Sequence, residues 1–116
     1  MKNLCIALLL LIPEISLASS VKKFHIGSFQ YPVVEVEHGI WVNEECGNTC
    51  MALQAASSIR NKTIKPLRAR GGINPGSWSC KKQFNGKVFI AVDDHDNQQS
   101  FCKFRDGSFV NTVALY

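Results

Sequence analysis

The stretch KVFIAVDDHDNQQSFCKFRDGSFVNTV, residues 87–113, decides the fold. It contains three runs rich in β-branched and aromatic residues: Lys87 to Val92, Ser100 to Phe104, and Ser108 to about Val113. A polar interval separates the first two runs, and Asp106-Gly107, a strong hairpin signal, separates the last two. The segment therefore reads as consecutive antiparallel strands.

Working back from there, residues 61 to 79 lose all periodicity. Pro66, Gly71-Gly72 and Asn74-Pro75-Gly76 punctuate them, which predicts a long loop or crossover. A loop of that length in a small domain is more often functional or mobile than purely connective. From Asn48 to about Arg60, Cys50, Leu53, Ala56 and Ile59 recur at helical spacing, with Asn48 or Thr49 as the expected cap. Upstream, Val34 and Val36 alternate with Glu35 and Glu37, His38-Gly39 marks a turn, and Ile40-Trp41-Val42 resumes a strand. Phe24, Ile26 and Phe29 suggest one initial strand. There is no internal sequence repeat, heptad or low-complexity tract. The expected class is α+β: a small antiparallel sheet of hairpins with one packed helix, stabilised by disulfides.

The start of the chain is of another kind. Met1-Lys2, an apolar run from Leu4 to Pro13 and the small-residue site Ser16-Leu17-Ala18 have the form of a secretory signal peptide, cut before Ser19. Glu14 interrupts the apolar run too early for a membrane span, and Cys5 lies too far forward for lipid attachment. The expected organisation is a signal peptide, 1–18, and a single exported domain, 19–116, with a β-rich C-terminal unit, 73–116. No transmembrane span is expected after cleavage, and the expected location is periplasmic or secreted.

Export places Cys46, Cys50, Cys80 and Cys102 in an oxidising compartment, where four cysteines read as two disulfides. Cys80 with Cys102 is the preferred first pair, leaving Cys46 and Cys50 to join locally; pairings that tie the helical region to the C-terminal sheet stay open. Zinc is disfavoured because the spacing lacks paired C-x₂-C units and export works against free thiolates. Cys46-Gly47 ahead of a helix could lower a thiol pKa, with His25, His38 or His95 as base, but Cys50 stands ready to consume that thiol. No G-x-S-x-G is present. No catalytic residue, metal or cofactor is assigned. Asp93-Asp94-His95-Asp96-Asn97 is rich in oxygen donors yet lacks EF-hand spacing, and reads as a polar hairpin loop.

Asn74-Pro75-Gly76-Ser77-Trp78-Ser79-Cys80, then Phe101-Cys102-Lys103-Phe104, then Asp106-Gly107-Ser108 resemble a family of short exported bacterial domains of unknown function that often carries a hemolysin label. The likeness covers about residues 73 to 116. Gly76 stands where that family usually has alanine, Phe84-Asn85-Gly86 where it tends to have paired glycines, and its terminal tryptophan is absent. The resemblance implies export in a bacterium and a Cys80–Cys102 bridge. It implies no catalytic residues.

Charge is the second informative feature. No acidic residue lies between Glu45 and Asp93, whereas Arg60, Lys62, Lys65, Arg68, Arg70, Lys81, Lys82 and Lys87 are basic. The net charge is only +4, so the asymmetry more than the total points to a surface that prefers an anionic partner. Arg68-Ala69-Arg70-Gly71-Gly72 with Trp78 and Phe84 could grip phosphate and stack bases, but no nucleic-acid-binding fold is recognisable and nucleic acid is not the expected partner. The expectation is a non-enzymatic exported binding protein of the bacterial envelope. It would contact an acidic protein or envelope polyanion through Arg60, Lys62, Lys65, Arg68, Arg70, Trp78, Lys81 and Lys82. The alternatives are a periplasmic inhibitor or immunity-type protein of an enzyme, and a structural component of an envelope or secretion assembly using exposed sheet edges.

Overall fold

The computed structural model describes residues 21–62 and 74–116. Six strands dominate it: β1 (Val21–Ile26), β2 (Phe29–Glu37), β3 (Ile40–Asn43), β4 (Lys87–Val92), β5 (Gln98–Lys103) and β6 (Phe109–Asn111). Between β3 and β4 in sequence come helix α1 (Met51–Arg60) and the short helix α2 (Pro75–Trp78), which widens into a π turn over Ser79–Gln83.

The strands close into an antiparallel barrel in the order β1-β2-β3-β6-β5-β4. This corrects the expected open sheet with one packed helix. Closure is made by pairing His25 of β1 with Val92 of β4. The cause lies in strands that are apolar on both faces, as the adjacent Val33 and Val34 show. Phe24, Val33, Ala91, Phe101 and Phe109 form one buried cluster. Ile40, Val42, Cys102 and Val110 face the other way, into a second cluster with Ala52, Ala55 and Ala56 of α1. A single helix over an open sheet would cover only one of these faces; wrapping buries the aromatic face and pairs the edges that an open sheet would leave free. The inner cluster is knit by rings at edge-on and stacked angles, with Phe101 lying 5.1 Å from Phe24, 5.4 Å from Phe89 and 5.4 Å from Phe109.

Local boundaries also differ from expectation. A turn at Gly27-Ser28 divides the expected first strand, sending Phe29 into β2. Helix α1 starts later than Asn48 or Thr49, with Cys50 as N-cap accepting from the Leu53 amide through Sγ. The segment from Pro75 onward is helical rather than loop: the Asn74 side chain caps it by accepting from the Ser77 amide at 3.0 Å, and Pro75 suits the first turn. Strand β6 ends at Asn111, and Thr112–Leu115 turn as a 3₁₀ helix. Residues 1–18 and the middle of the expected loop lie outside the described residues.

The barrel consists of two three-stranded meanders, β1-β2-β3 and β4-β5-β6, joined at β1/β4 and β3/β6. Where β3 meets β6, Val42 pairs with Val110, and the residue after each valine is an asparagine that reaches across. Asn43 Oδ1 accepts from the Phe109 amide at 3.0 Å, and Asn111 Oδ1 accepts from the Trp41 amide at 2.9 Å. The two bonds are reciprocal. Both asparagines are buried, so each side chain satisfies a strand amide that the short pairing leaves over.

Helix α1 is fastened at both ends to different turns. At its start, the Met51 amide donates to Asp106 Oδ2 at 2.9 Å and the Ala52 amide donates to Ser108 Oγ at 3.0 Å. The Asp106-Gly107-Ser108 turn is thus also a helix cap supplied from 55 residues away. At its finish, Arg60 donates to Glu37 Oε2 and to the His38 carbonyl, each at 2.6 Å.

Two glycines permit close approach of backbone. A Cβ at Gly76 would overlap the main-chain carbonyl of Thr112, and one at Gly86 would fall 2.5 Å from Cys102 Sγ and 2.9 Å from Cys80 Sγ. The structure pairs those two cysteines, and pairs Cys46 with Cys50, with Cα atoms 5.7 and 5.2 Å apart.

Candidate functional site

Of the residues expected to contact a partner, Arg60, Lys62, Trp78, Lys81 and Lys82 fall among the described residues. Lys65, Arg68 and Arg70 lie outside the described residues. Arg60 makes the sole ion pair among the described residues and holds a turn, which gives it a structural task. Lys62 is exposed just beyond α1. Lys81 and Lys82 are exposed on the helical segment after Trp78, and Lys82 Nζ sits 5.5 Å from the centre of the Trp78 ring in a cation–π contact.

The arrangement with most chemical content is at one end of the barrel. Successive strand residues point to opposite faces, so Lys87 shares a face with Phe89 and Ala91, and Lys103 shares one with Phe101. Ala91 and Phe101 belong to the inner cluster. Both lysines therefore occupy inward positions, at the rim. They are also direct partners across β4 and β5. Together with Ile26, Tyr31, Phe89 and Phe109 they line a cavity of about 340 Å³. A second hollow beside it, about 330 Å³, is lined by the same two lysines with Asn85, Phe104 and Arg105. Like charges directly opposite on a sheet repel, and neither lysine has an acidic partner among the described residues. The end of the barrel is therefore an aromatic floor under two paired cations, with Arg105 in the hollow beside it.

The sequence sets Lys87 within the basic region, whereas Lys103, Arg105 and the lining aromatic residues carry no comparable signal. The alternation Lys87-x-Phe89-x-Ala91 was a usable signal for one strand. Placing Lys103 opposite Lys87 needs the register set by the residues 93–97 loop, which composition does not give.

That loop is built around its own first carboxylate. Asp93 Oδ1 accepts from the amides of His95 at 2.8 Å and Asn97 at 2.9 Å, while Oδ2 accepts from the Asn97 side chain at 3.2 Å. The Asn97 amide, above all, holds the Asp93 carboxyl below its ordinary pKa, against the opposing effect of burial. At Asp106 burial pushes upward, but donors from Met51 and Ser108 outweigh it and the net shift is again downward. Both carboxylates are spent on capping and turn formation. No group of three or more potential metal ligands occurs among the described residues. Cys46, the conceivable nucleophile, is bonded to Cys50.

The lowered values set a sign for pH dependence. An aspartate whose folded pKa lies below its unfolded value of about 3.9 contributes stability that is complete above that value and is lost as pH falls through the folded one. Thermal unfolding midpoints of the native protein are expected to fall below about pH 4, and Asp93→Asn with Asp106→Asn to blunt that decline. An unchanged acid limb in the double variant would remove these two groups as its source.

Compared with protein-family models, with curated proteins and with solved structures, the chain gives no match, so what the site can do follows from its own geometry.

Proposed function

We propose that the chain is an exported, non-enzymatic binding protein of the bacterial envelope that engages an anionic partner, an acidic protein or an envelope polyanion. The observation that carries this reading is the pairing of Lys87 with Lys103 across two strands, beside Arg105, none of the three making an ion pair among the described residues. Such a pair costs stability; an anionic partner would turn that cost into affinity. The signal-like start, the two cysteine pairs and the acid-free interval from 46 to 92 support the same reading. In this proposal the contact surface centres on Lys87, Lys103 and Arg105, with Lys81 and Lys82 extending it, and Arg60 is not part of it.

The test uses residues 19–116 with disulfides intact, and polyphosphate and poly-glutamate as probes. Binding is expected to weaken as salt rises, because exposed charges are screened within about 8 Å at physiological ionic strength. Lys87→Glu gives an opposite-charge pair with Lys103, so it is expected to weaken binding roughly tenfold while raising stability by about 0.5 kcal/mol. Equal binding by the variant at low salt, or no polyanion binding by the native protein, would refute the proposal.

A further inference from the structure

The aromatic cavity beneath the lysines has no task in polyanion binding, which needs only surface charge. We infer that this end of the barrel is a binding site for a small amphipathic anion: an apolar body of about ten carbons ending in a single carboxylate. The inference rests on the proposed function in sharing Lys87 and Lys103, and goes beyond it in the cavity below them.

The cavity's size, lining and charge each narrow the ligand. At about 340 Å³, against the ≈30 Å³ that a water occupies in the liquid, it has room for about eleven heavy atoms. That fits a medium-chain or one-ring organic acid. Its floor is carbon. Phe89 and Phe109 lie with ring centres 5.3 Å apart, Tyr31 stands 5.6 Å from Phe89, and below them Phe101 is fully buried. Such a lining rewards an apolar guest by area removed from water.

The charge is confined to the rim. Lys87 and Lys103 enter from adjacent strands at inward positions, where a barrel filling itself would carry apolar side chains. Their stems can cover the aromatic floor while the ammonium groups meet solvent. No carboxylate lines this cavity. An anionic head held between the two ammonium groups would relieve their mutual repulsion, and the tail would fill the space below. Exposed apolar residues mark the same rim: Ile26 lines the cavity at 39% exposure, and its hairpin partner Phe29, also on the inward register, is 71% exposed. An exposed phenylalanine beside an aromatic cavity offers the ligand additional apolar contact.

Decanoate, kept below its micelle-forming concentration, is the probe, and 1-decanol and phosphatidylglycerol vesicles are the comparisons. Titration of residues 19–116 is followed by the NMR shifts of Tyr31, Phe89 and Phe109, with polyphosphate binding measured in parallel. The expected result is saturable shifts in those rings with decanoate, and at least about tenfold weaker binding of decanol and of decanoate to Lys87→Gln/Lys103→Gln. Both lysines are exposed, so the variant is expected to stay folded. Equal binding of decanoate and decanol, or no effect of the double variant, would overturn the assignment. So would association with vesicles without ring shifts from monomeric decanoate, which would mark a lipid-surface contact instead. If decanoate fails while polyphosphate still binds, the cavity inference falls and the broader function stands; if decanoate binds with the expected ring shifts and lysine dependence and polyphosphate does not bind, the polyanion reading falls and the cavity inference stands.

Discussion

Gly76→Ala is expected to cost about 3 kcal/mol of stability, because the added methyl has nowhere to go. The atom it would strike is main chain, the Thr112 carbonyl, and no rotamer change can move it away. Either α2 must lift from the 3₁₀ turn at Thr112–Leu115 or that turn must shift, and Leu115 and Thr112 are both buried beneath it. Chemical denaturation of the purified variant measures the loss; a midpoint within error of the native protein would show that the two segments separate easily. In this chain the contact between α2 and the C-terminal turn is closer than an alanine allows.

Removing the Cys80–Cys102 bridge with two alanines is expected to cost about 3 kcal/mol, and removing Cys46–Cys50 about 2 kcal/mol, from the entropy of closing loops of 22 and 4 residues. Context widens the difference. Cys80 and Cys102 are fully buried with Gly86 against their sulfurs, so truncation also leaves a void. Cys46 is only half-buried. Denaturant midpoints of the two double variants under identical oxidising conditions decide the order. Equal losses, or a larger one at Cys46–Cys50, would mean that the small local bridge has a larger role than its loop length implies.

Much of the local structure was legible because it follows from short-range chemistry. Strand β4 runs from Lys87 to Val92 as its composition indicates, Asp106-Gly107 turns, and α1 ends at Arg60. Closure was not legible. It depends on His25 meeting Val92, and no periodicity within either strand announces that meeting. The hint lay in neighbouring apolar residues such as Val33-Val34, which require cover on both faces. The expected loop through Ser79 failed in part for a related reason: Asn-Pro-Gly marks a chain breaker, but Asn at the cap and Pro in the first turn also begin a helix.

The candidate site was half legible. A basic bias was visible in the run from Arg60 to Lys87, yet charge counting cannot separate a cation held in structure from one left for a partner. Arg60 is held by Glu37, 23 positions away, and by the His38 carbonyl. Lys103 and Arg105 lie beyond the acid-free interval and gain meaning only when β5 is laid against β4.

The reciprocal asparagines have a consequence for how the molecule responds to a broken chain. One bridge lies within residues 46–50 and the other within residues 80–102, so neither ties the first meander to the second. Their union rests on the β1/β4 and β3/β6 strand pairings, the Asn43 and Asn111 bonds, the Asp106 cap, the buried clusters and the peptide that runs from Arg60 to Asn74. A single proteolytic cut in that peptide would leave two internally bridged fragments held together by non-covalent contacts alone, and a denaturant without any reductant would be enough to part them.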